Sequence, residues 1–214
     1  GPSGCGKSTL LECLAGLMPA DHGRAIVDGT AASPGRLALM PQTDALLPWR
    51  TLAENVAWGA TLAGADTADA AARAGRMIRR VGLAGFEDHF PHALSGGMRQ
   101  RGALARTLVA RASGWLLDEP FGALDAISRA DLHSLLSDLH AEHRPSVVMV
   151  THDLDEALDL ADRIVVLSDR PARNVAELTV SAGRQRRRSP EWAPERAVAR
   201  DLLMDALGGR VIPA

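Results

Sequence analysis

Tyrosine is missing from this 214-residue chain, lysine occurs once, at Lys7, and cysteine occurs twice, at Cys5 and Cys13. Two cysteines exclude a disulfide scaffold at this length. Both read as reduced packing residues, which favours a cytosolic setting. Long apolar runs are missing as well. The longest candidates, "SVVMV" and "RIVVL", are strand-sized, whereas a bilayer span needs roughly 20 apolar residues. If the protein serves a membrane process, another chain has to cross the membrane. Nor is there an excess of positive charge. The formal net charge is -2, which argues against a general nucleic-acid binder, since such a protein needs a basic face to displace counterions.

What is present is enough apolar material for a core: 46% hydrophobic residues against 23% charged. The length suits one domain, or one core carrying a smaller subdomain. "KSTLLECLAGLM", 7–18, has helical spacing and stops at Pro19. "RAIVDG" and "RLALM" read as short strands with turn chemistry between them. From about Ala45 the pattern changes: "TLAENVAWGATLAG" and "DAAARAGRMIRRVGL" are Ala-rich helical stretches, and an inserted helical subdomain is expected over 45–93. A helix is expected over 96–112, then a buried strand "GWLLD", an amphipathic helix "ISRADLHSLLSDLHAEH", a buried strand "SVVMV", a short acidic helix "DLDEALDLA" and a strand "RIVVLS". Strands that alternate with helices and are continuous apolar runs predict a parallel sheet covered on both faces. After Val180, "RQRRRSPEW" reads as an exposed basic turn, followed by a modest helix near 194–207. The expected segments are thus 1–44, the start of a core; 45–93, helical; 94–180, the remainder of the core; and 181–214, a tail with a helix.

Three short stretches carry chemistry. "GPSGCGKS", Gly1–Ser8, fits G-x-x-x-x-G-K-[ST]. Its glycines let successive backbone N–H groups face one anion, and the following helix adds its positive end. Lys7 would reach the β- and γ-phosphates and Ser8 would ligate Mg²⁺. The one lysine of the chain therefore stands where a compact ammonium suits phosphate oxygens. "WLLDEP" supplies the partner acids: Asp118 to hold Mg²⁺, and Glu119 to aim at a water in line with the γ-phosphate as general base. "LSGGMRQR", Leu94–Arg101, is a second helix start able to bind an anion, with Ser95 also an ordinary N-cap. One nucleotide needs one such cradle, so two of them suggest a site shared between two chains.

These stretches together resemble the nucleotide-binding subunit of an ATP-binding cassette (ABC) transporter. "LSGGMRQR" resembles the signature of that family, "MPQTDALLPW" its Q-loop with Gln42, "GALDA" its D-loop with Asp125, and "VTHD" its switch region with His152. The resemblance runs from Gly1 to about Arg173. "LLPWRTLAENV" and "DRIVVLSDRPAR" look like importer ATPases of the nitrate/sulfonate/taurine group, and thiamine-precursor importers share similar segments. Met98 stands where many families carry Gln or Glu, although importer subunits of this group often have Met there.

The resemblance implies an α/β fold: a RecA-like P-loop NTPase core with a mainly parallel sheet, an inserted helical subdomain and an incomplete antiparallel β-subdomain. It implies a head-to-tail homodimer in which ATP lies between the loop of one chain and the signature helix of the other. Gly1, Ser3, Gly4, Cys5, Gly6, Lys7, Ser8 and Thr9 would form the nucleotide cradle. Ser8, Gln42 and Asp118 would serve the Mg²⁺. Glu119, His152, Gln42 and Lys7 would be catalytic. Ser95, Gly96, Gly97 and Asp125 would act in trans. The Q-loop and the helical subdomain would grip a membrane permease at the cytoplasmic face of the inner membrane, with an extracytoplasmic solute-binding protein beyond it and no nucleic acid involved. With no tyrosine to stack on adenine and nothing ahead of the loop, the chain is expected to be an N-terminally truncated piece of a longer product. Two alternatives stand beside the importer: a soluble ABC ATPase that transports nothing, and an inactive nucleotide-binding fragment. His140 and His143 lie three apart on a helix, but no ligand-spaced pattern of carboxylates or Cys supports a metal, and a solvated face is the simpler reading.

Overall fold

A computed structural model describes residues 1–180 and 192–208. The basic stretch "RQRRRSPE" of the tail lies outside the described residues. The chain forms two compact units, Ser8–Val150 and Gly1–Lys7 with Thr151–Ala214.

The larger unit is built on a parallel sheet in the order β3-β4-β5, with β3 at Leu37–Met40, β4 at Gly114–Asp118 and β5 at Ser146–Val150. Central β4, "GWLLD", is buried along its whole length, as a continuous apolar run flanked by two strands requires. Strand β5 departs from the expectation of a strand covered on both faces: Val148 is 41% exposed. Helix α1, Lys7–Leu14, lays Leu11 and Ala15 against Leu116 and Val150 of the sheet. It is shorter than the expected 7–18, because Gly16 adopts a left-handed φ of 73° and turns the chain before Pro19 is reached. Strands β1, Ile26–Val27, and β2, Thr30–Ala31, form a hairpin. Its turn is Asp28-Gly29, both at positive φ, the pairing that a two-residue hairpin loop favours.

Between β3 and β4 lie α2 (Leu52–Leu62), α3 (Thr67–Arg80), a short 3₁₀ turn (Pro91–Ala93) and α4 (Gly96–Leu108). Thr51 caps α2 in a reciprocal box with Glu54, and Asp66 caps α3. The buried face of α3 is Ala70, Ala74, Met77 and Ile78, spaced for one side of a helix. Helices α2 and α4 approach until their backbones nearly touch. A Cβ on Gly59 would fall 2.1 Å from the Arg106 carbonyl oxygen, and one on Gly102 would meet Leu52 Cδ1 at 2.8 Å. Helix α5, Ala126–His143, returns the chain to β5 and buries Leu132, Leu135, Leu136 and Leu139.

The smaller unit contains α6 (Leu154–Leu160), β6 (Arg163–Leu167), β7 (Asn174–Thr179) and α7 (Ala193–Leu207). Its core joins Leu158, Ile164, Val166, Val180, Trp192, Leu203 and Ala206. The expected parallel pairing of β6 does not occur among the described residues. Strand β6 pairs antiparallel with β7, a strand the apolar pattern did not disclose, and among the described residues it is not part of the parallel sheet. Acidic α6 is tied to α7 by Arg196, which reaches Asp155 at 3.2 Å and Asp159 at 3.1 Å. Among the described residues no helix is long and apolar enough to cross a membrane.

Candidate nucleotide site

The glycine-rich loop has the backbone that its sequence demands. Gly4 at φ 74° and Gly6 at φ 112° occupy conformations that side chains disfavour, and no atom lies within 4 Å of a Cβ built on either. Cys5 between them is buried, whereas Ser3, Ser8 and Thr9 are exposed. Gly1 leaves no room for a side chain, because its Cβ would meet the Leu167 carbonyl oxygen at 2.8 Å. Lys7 Nζ donates to the carbonyls of Gly1 at 2.9 Å and Pro2 at 2.7 Å, so the ammonium folds over its own loop.

In the larger unit, Ser8 and Asp118 meet although they are 110 residues apart. The Ser8 hydroxyl donates to Asp118 Oδ2 at 2.6 Å. Asp118 is buried at the end of β4, where the sheet aims it. These are hard oxygen donors, one hydroxyl and one carboxylate. That set fits Mg²⁺, which binds through one or two carboxylates and substrate phosphates rather than in an all-protein cage.

Glu119 follows at φ 47°, a left-handed backbone that costs a non-glycine residue of order 1–3 kcal/mol. Hydrogen bonds on both sides of the residue hold it there: its N–H donates to the Val150 carbonyl at 2.9 Å, and its carbonyl accepts from Gln100 Nε2 at 3.2 Å and from the Gly122 N–H at 3.3 Å. Gln100 also donates to the Pro120 carbonyl at 3.2 Å. Gln100 is buried on α4 and was not among the residues expected from the sequence. A polar residue on the inward face of a helix was the available signal.

Helix α4 opens with Ser95, whose Oγ accepts the Met98 N–H at 3.2 Å. Gly96 and Gly97 are the first helical residues, and a Cβ on Gly97 would lie 3.4 Å from Leu124 and 3.5 Å from the Ala123 carbonyl. Asp125 caps α5, accepting from the N–H groups of Ile127 and Ser128 and from the Ser128 hydroxyl. The Ser128 bonds chiefly hold its carboxyl below the usual range. Gln42 is exposed in the loop after β3. That loop is held by Asn55, buried on α2, which accepts the Leu47 N–H at 2.7 Å and donates to the carbonyls of Leu47, Arg50 and Thr51. In the smaller unit, His152 is exposed beside Thr151, whose hydroxyl donates to Glu156 at 2.6 Å, and ahead of Asp153, which caps α6.

Residues 1–122 match the family described as ABC transporter. An aliphatic sulfonates import ATP-binding protein, SsuB 2 of Nocardia farcinica, is 48% identical over 208 residues, 97% of this chain and 81% of the relative. A taurine import ATP-binding protein, TauB of Burkholderia pseudomallei, is 46% identical over 187 residues, 86% of this chain and 72% of the relative. Among solved structures, a dimeric post-hydrolysis state of the ATP-binding cassette MJ0796 bound to ADP and Pi resembles this chain with a TM-score of 0.75. The two are 27% identical, and the match covers 85% of this chain and 84% of that one.

Proposed function

The chain belongs to the ABC transporter family and is an ATP-hydrolysing import subunit; we propose that its solute is a small sulfonate such as taurine, carried by a separate membrane permease. The solute class rests on the relatives named for sulfonate and taurine import, and a nitrate or thiamine precursor is the competing assignment. The observation that best supports hydrolysis is local. A Ser8–Asp118 oxygen pair 2.6 Å apart precedes Glu119, whose backbone is held at φ 47°.

In this reading the N–H groups of residues 4–9 and the Lys7 ammonium hold the phosphates, where fixed donors act without reorganising. Ser8, Asp118 and Gln42 would hold Mg²⁺, which supplies charge neutralisation to the β- and γ-oxygens. Glu119 takes a proton from the attacking water as its oxygen bonds to the γ-phosphorus and ADP leaves. His152 contacts the γ-phosphate. Ser95, Gly96 and Gly97, with Asp125 at the seam, complete the site from the other copy of a head-to-tail homodimer. ATP then favours the closed dimer by its higher affinity for that state, and hydrolysis releases it. Residues 45–93 and the Gln42 loop dock the permease, which places the subunit on the cytoplasmic face of the membrane. Leu47 and exposed Trp49 belong to that surface.

The test is transport in vesicles holding the permease, its solute-binding protein and this subunit. Labelled taurine should accumulate only with ATP, and nitrate and thiamine precursors should not compete. ATP-driven uptake of nitrate instead of taurine would reassign the solute, and ATP turnover that never couples to uptake would remove the importer reading.

A further inference from the structure

The Gln42 loop and the signature helix are joined by two arginines of α4. Arg99 Nε donates to Asp44 Oδ2 at 2.8 Å, and the same guanidinium donates through Nη1 to the Leu94 carbonyl at 2.8 Å. Leu94 is buried and immediately precedes Ser95. Seven residues further on, and so on the same face of the helix, Arg106 donates to the carbonyls of Ala45 at 2.6 Å and Asp44 at 3.2 Å. Ala45 has a φ of 46°, a left-handed conformation that the surrounding bonds have to hold. The far end of the loop is fixed by Asn55, and α2 is pressed onto α4 at Gly59 and Gly102. The loop is thus fastened to α4 two residues after Gln42.

We propose that Arg99, through Asp44, is a positioning residue that passes the state of the Gln42 loop to Ser95–Gly97 of the same chain. In a head-to-tail dimer that start serves the other ATP, so the pair links one site to the next. The inference rests on the ATPase reading above. The Arg99 and Asp44 side chains are 36% and 32% exposed, so the pair adds little to stability by itself. Its contribution is geometric, which separates it from the buried contacts around it.

The experiment is a double-mutant cycle of Asp44→Ala and Arg99→Ala in the transporter assembled with its permease. It reads turnover, KM and the Hill coefficient for ATP, with ATP affinity of the isolated chain and its urea midpoint alongside. Each single variant should keep its fold and its isolated affinity, lose about five- to tenfold in turnover, and show a Hill coefficient falling toward one. The double variant should lose clearly less than the product of the two single losses, because each breaks the shared Arg99–Asp44 link, although Arg99→Ala also frees the Leu94 carbonyl and Asp44→Ala the Leu46 N–H. Wild-type turnover and Hill coefficient in Arg99→Ala would overturn the proposal. So would fully additive losses, or a loss that is equal in the affinity of the isolated chain. If the unsubstituted transporter hydrolyses no ATP, it is the underlying ATPase reading that fails, and the link falls with it.

Discussion

The loop at 1–8 and the helix start at 94–101 are both glycine-rich entries to a helix, yet glycine serves a different purpose in each. Gly4 and Gly6 stand in open space at positive φ, so there the requirement is conformational. Gly96 and Gly97 are helical, and a Cβ on Gly97 would make ordinary van der Waals contact with Leu124 at 3.4 Å and the Ala123 carbonyl at 3.5 Å, so there neither backbone conformation nor space within the chain demands glycine. Neither α1 nor α4 has an acidic residue in its first turn, and α5 lacks one too, whereas α2, α3, α6 and α7 have one. An acid at those positions would compete with a bound phosphate for the helix's positive end. Two similar-looking motifs therefore differ in backbone: the first curls at positive φ, and the second enters its helix directly.

The sharpest way to isolate that difference is to remove the chemistry from both. Glu119→Gln should lower turnover by about 10²–10⁴-fold while leaving ATP affinity intact, as single-turnover and binding assays would read. Normal turnover would remove Glu119 as the base. Next, Gly6→Ala should weaken ATP binding to the isolated chain by roughly tenfold, since forcing a side chain into that backbone costs about 1–2 kcal/mol. Gly97→Ala should leave the same affinity unchanged. Equal losses in titrations of the two variants would break the comparison. The smallest effect concerns the cap alone. Ser95→Ala should cost about 1 kcal/mol of stability, read from urea unfolding, because the Met98 N–H loses its acceptor.

Much of this was legible from the chain because its strongest signals are local. The G-x-x-x-x-G-K-S spacing, the apolar run ending in Asp118 and the Ser-Gly-Gly ahead of a helix each specify their own backbone. What stayed hidden depends on distance or competition. Asp44 and Arg99 are 55 residues apart and Ala45 and Arg106 are 61 apart, so no local pattern pairs them. The apolar run "RIVVL" fits a parallel or an antiparallel partner equally well, and "NVAELT" alternates too weakly to announce itself as that partner. Likewise "SVVMV" reads as buried on both faces, although β5 exposes Ser146 and Val148. A left-handed Gly16 ends α1 before the proline that seemed to set its limit.

The central claim is that each ATP site takes its loop from one chain and its signature start from another. Mixing two inactive variants tests it directly. A Lys7→Ala chain keeps its Ser95 start but loses its phosphate grip, and a Ser95→Arg chain keeps its loop but blocks its neighbour's site. Each variant alone should show essentially no ATP turnover in the assembled transporter. Mixed assemblies should regain a clear fraction of it, because one site then combines Lys7 of one chain with Ser95 of the other. A mixture as inactive as its components, with dimers shown to form, or a Ser95→Arg chain that turns over ATP unaided, would contradict the shared site.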